Sequence, residues 1–341
     1  MPPMRAPRLA PALLCLLASG AILAACGDSE SDTTAAAPQP AESRPAPSKA
    51  EFPSAKRRTL RQVLKAADGR FEGKISPLAE VFYPGVNRYP FEVLDSDQDQ
   101  VVDAEVALYF ARVPAPKSGA KSKSGNRGQI AKAQAQALDQ PARGPFPASI
   151  ESLATKPAFQ SKSMSEDPDA AVVYSPELDL PKAGEWKLAA ILREDGELMG
   201  STLPIIDVGQ FKKVPKAGDK APLIHTPTAP NKVDYAEALS REPIVLLFAT
   251  PEFCQSRVCG PAVDVAAQAQ HEYGDEAAFI QMEIYKDNDP AQGVRPQVRK
   301  FHLPTEPFLF TIDRDGVVAD AVEGAFGLKL MHEAVDKAIA G

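Results

Sequence analysis

The sequence predicts two folded parts in tandem: a β-sandwich over residues 58–210, then an α/β domain over residues 215–341 with a central mixed sheet and flanking helices. Three observations predict this. In the first part, short apolar runs with period-two alternation are separated by turn chemistry. In the second, the unbroken apolar run from Pro243 to Ala249 requires cover on both faces, as a central strand does. Beyond that run, strand-like and helix-like periodicities alternate in the manner of βαβ units.

The chain opens with positive charges at Arg5 and Arg8, an apolar stretch from Leu9 to Ala25, and the tetrad Leu23-Ala24-Ala25-Cys26. This order reads as an export signal over residues 1–25. Its apolar run is shorter than the ~20 residues that cross a bilayer comfortably. Leu-Ala-Ala-Cys resembles the lipobox of bacterial lipoproteins. The resemblance implies cleavage before Cys26, lipidation of its sulfur, and a lipid-anchored position on the extracytoplasmic face of the cell membrane. Residues 26–57 are rich in Ser, Thr, Ala, Pro and acidic residues and are expected to form a disordered tether.

Within 58–210, Arg88 to Leu94 and the alternating Val102, Ala104, Val106, Leu108 and Phe110 read as a hairpin around the polar stretch Asp95 to Gln100. Gly184 to Leu192 and Leu203 to Val208 supply further strands, with Glu194-Asp195-Gly196 as a turn. The block resembles immunoglobulin-like modules of exported bacterial proteins in pattern only. Residues 114–147, rich in Lys, Ser, Gly, Gln and Ala, are expected to form a mobile insertion. The acidic stretch Asp95-Ser96-Asp97-Gln98-Asp99 opens like a calcium loop. It places Gln100 where glycine is needed and Val106 where a bidentate Glu is needed, so it reads as a solvated turn.

A net charge of −7 argues against nucleic acid as a partner. Of the four cysteines, Cys15 lies in the signal and Cys26 at the lipidation position. That leaves Cys254 and Cys259. One close pair in an exported chain points to redox chemistry rather than loop closure, because so short a loop constrains the unfolded chain little.

The second part begins near Gly218-Asp219-Lys220-Ala221-Pro222. A helix is expected over 234–240, the central strand over 243–249, and a helix from the cysteines to about Tyr273. A strand over 278–284, a helix over 296–301 and a strand over 308–312 follow. The turn Asp313-Arg314-Asp315-Gly316, a strand over 317–322 and a helix over 328–340 close the chain. This order, with two cysteines after the central strand and Glu306-Pro307 before the next, resembles the thioredoxin superfamily. Within it, Gly218 to Pro222 and Phe248-Ala249-Thr250-Pro251-Glu252-Phe253-Cys254 are similar to the peroxiredoxin and membrane-tethered thioredoxin-like reductase branch. The resemblance implies a cis Pro307 beside the cysteine pair, with Glu306 and Pro307 binding substrate backbone.

The spacing departs from that family: Cys254 and Cys259 form Cys-x4-Cys where thioredoxins have Cys-x2-Cys. In regular α-helix such a pair would sit ~140° apart around the axis with Cα atoms ~8.6 Å apart, whereas a disulfide tolerates about 7 Å. The pair can bond only where the segment is not regular helix. Gly260-Pro261 makes a bend or late helix start there the expectation. Cys254 is expected to sit near the helix start as the attacking thiol, with Cys259 as the resolving thiol. Arg257 is expected to stabilise the thiolate. The buried acid that many thioredoxins carry on the central strand is missing, since Leu246 and Leu247 stand there.

The function this implies is an extracytoplasmic thiol–disulfide oxidoreductase, with no cofactor and no metal. Its partners would be protein thiols or disulfides, an electron donor, and the membrane through the lipid anchor. Two alternatives remain open. One is a two-cysteine thiol peroxidase, although Thr250 lies four residues before Cys254 where that class has three. The other is a non-catalytic binding lipoprotein in which the β-sandwich does the work. Of the four histidines, only His302 lies close enough to Pro307 to be weighed as a copper ligand.

Overall fold

The computed structural model describes residues 41–114, 127–161, 169–194, 196–227, 231–254 and 256–341. Cys26, the export signal and the first part of the tether lie outside the described residues. Residues Pro40–Gly341 form one compact unit. No helix among the described residues is long and apolar enough to cross a membrane.

The first part is built from sheets. Helix α1 (Leu60–Leu64) is started by Thr59 and Gln62, each side chain accepting the other residue's backbone N–H. Strands β1 (Gly69–Arg70), β2 (Lys74–Pro77), β3 (Gly85–Arg88), β4 (Phe91–Leu94) and β5 (Glu105–Arg112) follow. Helix α2 (Arg127–Leu138) then precedes β6 (Arg143–Pro147), β7 (Ser149–Ser152), β8 (Val172–Ser175) and β9 (Glu177–Leu180). The long hairpin β10 (Gly184–Glu194) and β11 (Glu197–Val208) completes this part. The strands order as β1-β11-β10-β5-β6 and as β2-β4-β8-β7, with β3-β9 as a separate ribbon.

The first two sheets share one core. Val106, Leu108, Phe110, Leu188 and Ala190 of one meet Phe91, Val93, Val172 and Tyr174 of the other. The outer face of the five-stranded sheet is covered as well, because Leu60 and Val63 of α1 pack with Phe52 on Tyr109, Ala189 and Ile191. β5 is therefore buried on both faces, and it pairs with β10 and β6 and not with β4, so the hairpin expected from residues 88–94 and 102–110 is corrected to two strands in different sheets, with Leu94 and Gln100 bridging across the turn.

Two further expectations need correction here. The tether was expected to reach residue 57, yet Arg44 pairs with Ile150 and a capped 3-10 turn at Lys49–Glu51 leads Phe52 into that outer core. One large apolar side chain suffices to dock a segment whose composition is otherwise that of a spacer. The insertion was expected to span 114–147, yet β6 pairs with β5 and Ala137 of α2 is fully buried. Residues 115–126 lie outside the described residues.

The second part carries α3 (Tyr235–Ala238), β12 (Ile244–Phe248), α4 (Cys259–Tyr273) and β13 (Ala278–Met282). It continues through α5 (Pro296–Lys300), β14 (Phe308–Ile312), β15 (Val318–Glu323) and α6 (Leu328–Ala340). Its sheet orders as β13-β12-β14-β15, with β12 and β13 parallel and the other pairs antiparallel. β12 is covered on both faces. Ile244, Leu246 and Phe248 enter a core with Phe301 and Phe310, while Val245, Leu247 and Ala249 enter another with α4 and α6. An unbroken apolar strand is the sequence mark of that double cover.

The two parts meet across a polar seam. The buried Glu323 carboxylate of β15 accepts the N–H groups of Glu80 (2.9 Å) and Val81 (2.8 Å) and the Thr305 hydroxyl. Burial pushes its carboxyl up, and these donors pull it back. Arg88 donates to the Ala325 carbonyl at 2.6 Å and pairs with Glu151. Gly324 sits here with φ +77°, and a Cβ on it would lie 2.4 Å from the Leu78 carbonyl. Glu323→Ala leaves two part-buried N–H groups and the Thr305 hydroxyl without their acceptor. It is expected to lower the unfolding free energy by about 2–4 kcal/mol. A urea titration checks this, and an unchanged midpoint would contradict the seam's role.

Candidate redox site

The passage from β12 into α4 builds the site. Thr250 leaves the strand fully buried, and its N–H donates to Glu306 Oε2 at 2.6 Å while its hydroxyl oxygen accepts the Ile284 N–H at 2.7 Å. A 3-10 turn at Pro251–Phe253 then delivers Cys254 in extended backbone, φ −72° and ψ 123°. Cys254 and Cys259 are joined in a disulfide with Cα atoms 6.0 Å apart. That separation lies inside the bonding range regular helix would have exceeded.

Of the two alternatives, a bend or a late helix start, the structure has the late start: the helix begins at Cys259 itself, after Arg257 with φ +52° and Val258 as N-cap. Its first closing bond runs from the Ala262 N–H to the Val258 carbonyl at 3.0 Å. Pro261 has no N–H to give to the Arg257 carbonyl, so the helix cannot extend back toward Cys254 through that bond. Cys254 is therefore not on the helix. Its sulfur nonetheless lies against the first residue of α4, where unpaired N–H groups favour a thiolate. Cys259 is fully buried and Cys254 only half-buried, with its sulfur 3.4 Å from the Ser256 hydroxyl.

The first part of the chain holds this loop. The Ala170 N–H donates to the Arg257 carbonyl at 3.0 Å, and the Arg257 guanidinium reaches the Gln98 carbonyl at 3.4 Å. Val258 is buried among Leu78, Leu153, Ala170 and Val173. Arg257 thus stands between the cysteines in sequence, with its head group turned toward the β4–β5 turn. In that turn, the Asp95 carboxylate accepts the N–H groups of Asp97 and Asp99.

Glu306 lines the same cleft as Cys254, and the peptide bond from it to the buried Pro307 is cis. Burial pushes the Glu306 carboxyl up to about 7, the Thr250 N–H pulls it down, and the Glu283 charge adds to the rise. Burial also raises Glu283, which is hydrogen-bonded to Thr250 and opposed by Arg295. On the opposite side, Glu92 of β4 is 3% exposed, and burial raises it to about 7 against the pull of Arg257 and then Lys74. The Gln100 amide donates to it at 3.3 Å.

These groups enclose a cleft of about 730 Å³. Phe253, Cys254, Arg257 and the Pro304–Glu306 loop line one side, and Lys74, Ser76, Glu92 and Leu94 the other. Of the residues foreseen in sequence, Cys254, Arg257 and Glu306 line one cleft and Cys259 is bonded to Cys254, while Pro307 follows Glu306 but does not line the cleft; Cys26 lies outside the described residues. Exposed His302 does not line the cleft. Sequence reasoning missed Glu92 and Glu283. The signal for Glu92 was a single charge inside the apolar run Tyr89 to Leu94.

A sheet with a parallel pair and two antiparallel strands, a disulfide between its central strand and the next helix, and a cis-proline before β14 together define a thioredoxin-like α/β unit. Solved structures similar to the chain include a thiol:disulfide interchange protein of the thioredoxin family from Chlorobium tepidum TLS. It is 17% identical at a TM-score of 0.29, over 36% of this chain and 97% of that one. A thioredoxin-like protein solved in its oxidised form is 16% identical at a TM-score of 0.27, over 38% and 97%. No family model matches the chain. No curated protein matches it either.

Proposed function

We propose that this chain is an extracytoplasmic thiol–disulfide oxidoreductase, held to the membrane by lipid on Cys26 and acting on protein thiols and disulfides. The observation that carries the reading is the closed Cys254–Cys259 disulfide, with one sulfur half-exposed in a polar cleft and the other buried at the head of a helix. In the oxidised state a substrate thiolate attacks Cys254 Sγ. The Cys254–Cys259 bond breaks, a mixed disulfide forms, and Cys259 leaves as a thiolate beside the N–H groups of α4. A second substrate thiol displaces Cys254, so two electrons pass to the pair and the substrate becomes a disulfide. Once a dithiol donor has reduced the pair, the steps run in reverse on a substrate disulfide: Cys254 attacks it and a substrate thiolate leaves, then Cys259 attacks the mixed disulfide, closing the pair and releasing the second substrate thiol.

Arg257 supports the Cys254 thiolate only when its guanidinium turns back from the Gln98 carbonyl, and Glu306 and Pro307 seat the substrate backbone. The first part of the chain, read as an immunoglobulin-like sandwich, carries the redox loop. The peroxidase alternative gains nothing from Thr250, which is fully buried with its hydroxyl oxygen accepting the Ile284 N–H.

The test is the reduction potential of the pair, read by alkylation after equilibration in graded thiol buffers. A value between about −120 and −270 mV is expected of an exchanging pair. A value below about −300 mV, or a pair that never closes, would make it a structural staple and the protein a binding lipoprotein.

A further inference from the structure

The cleft has a wall that the redox chemistry alone does not require. Lys74 and Ser76 are alternate residues of β2, and their cross-strand partners on β4 are Leu94 and Glu92. Alternation by two puts these four side chains on one face of the ladder, and all four line the cleft opposite Cys254. The wall is fixed in place, since Glu323 binds the backbone of Glu80 and Val81 just beyond β2 and also holds Thr305 of the opposite side.

Cys254 therefore opens into a half-open cleft that the β2–β4 side chains also line. A convex folded domain cannot enter a cleft of about 730 Å³, a volume in the range of sites for small ligands or short segments. An extended chain is the polypeptide form that can lie along such a face, packing on its side chains as stacked β-layers do at ~10 Å. Main-chain partners border the cleft as well. Among the described residues, the backbone groups of Thr305 and Glu306 make no backbone hydrogen bond, and β2 is the end strand of its sheet.

Building on the function proposed above, we propose that the β2–β4 face is a specificity wall that restricts the pair to cysteines carried on an extended polypeptide segment. Such a segment lies between this face and the Thr305–Glu306 loop, its side chains against Lys74 and Ser76 and its main chain beside the unpaired backbone groups of the loop. The wall excludes disulfides on folded surfaces by shape, and Lys74 reads the charge beside the substrate cysteine.

The experiment compares kcat/KM of the full chain, with dithiothreitol as reductant, on three probes. These are two short peptides joined by a disulfide, a folded domain with one surface disulfide, and oxidised glutathione. The linked peptides are expected to exceed both others by at least about tenfold. Ser76→Trp, which narrows the cleft, is expected to lower the peptide-to-glutathione ratio by at least about tenfold. Because Ser76→Trp is half-buried and can misfold, exposed Lys74→Glu provides the second measurement. It is expected to shift preference from acid-flanked toward base-flanked peptides by about threefold or more. Equal rates on peptide and glutathione, or ratios unmoved by both variants, overturn the wall while leaving the oxidoreductase reading intact. No turnover of any probe overturns that reading itself and the wall with it.

Discussion

Cys254→Ser is expected to reduce disulfide exchange to the uncatalysed rate, a loss of at least about a hundredfold, whereas Cys259→Ser is expected to accumulate a mixed disulfide. The asymmetry follows from burial. Cys254 is half-buried and opens on the cleft, while Cys259 is fully buried as the first residue of α4. Only the first can meet a substrate sulfur, and only the second stands where an internal attack on the mixed disulfide can follow. Without Cys259, the Cys254–substrate bond has no intramolecular nucleophile to release it. Incubation with a disulfide peptide, followed by mass spectrometry of the intact chain, reads the adduct directly. If Cys254→Ser instead forms the adduct on Cys259, the assignment of roles is reversed.

The second large effect concerns stability against pH. Glu92 is 3% exposed, and burial lifts its carboxyl from 4.5 to about 7, against the opposing charges of Arg257 and Lys74. Between these two values the folded state holds a proton that the unfolded state has released. Stability therefore falls as pH rises through this window and stays reduced above it. A shift of this size corresponds to a difference on the order of 3 kcal/mol at ~1.36 kcal/mol per unit.

Glu92→Gln keeps the shape, removes the ionisation and is expected to flatten that slope, leaving the variant more stable than the parent at pH 8. Urea unfolding at intervals from pH 4.5 to 8 checks this. Glu306, also raised to about 7, contributes a slope of the same sign that remains in the variant. A parent whose stability rises across the window would contradict the burial of Glu92 as a desolvated group.

Much of the second part was legible in the sequence because its signals are local. The run around β12 declared a doubly covered strand, β14 and α6 fall at the expected residues, and the helix geometry showed that Cys254 and Cys259 could bond only outside regular helix. The late start of α4 was one of two alternatives raised by Gly260-Pro261, and the Arg257 turn decided it. The docking of Phe52 and the strand at Arg143–Pro147 were not legible, because composition averages over the few apolar side chains that anchor a segment.

The sequence by itself determined that two cysteines stand between a buried strand and a helix and can bond only outside regular helix. Tertiary structure alone decided what surrounds them. The Glu80–Glu323 bond joins residues 243 apart, and Val258 is covered by Leu78, Leu153 and Val173 from the other part. Periodicity records whether a side chain is buried, not what buries it. The raised carboxyls of Glu92 and Glu306 and the closed wall of the cleft depend on which distant segments displace water from those residues, so only the assembled fold could set them.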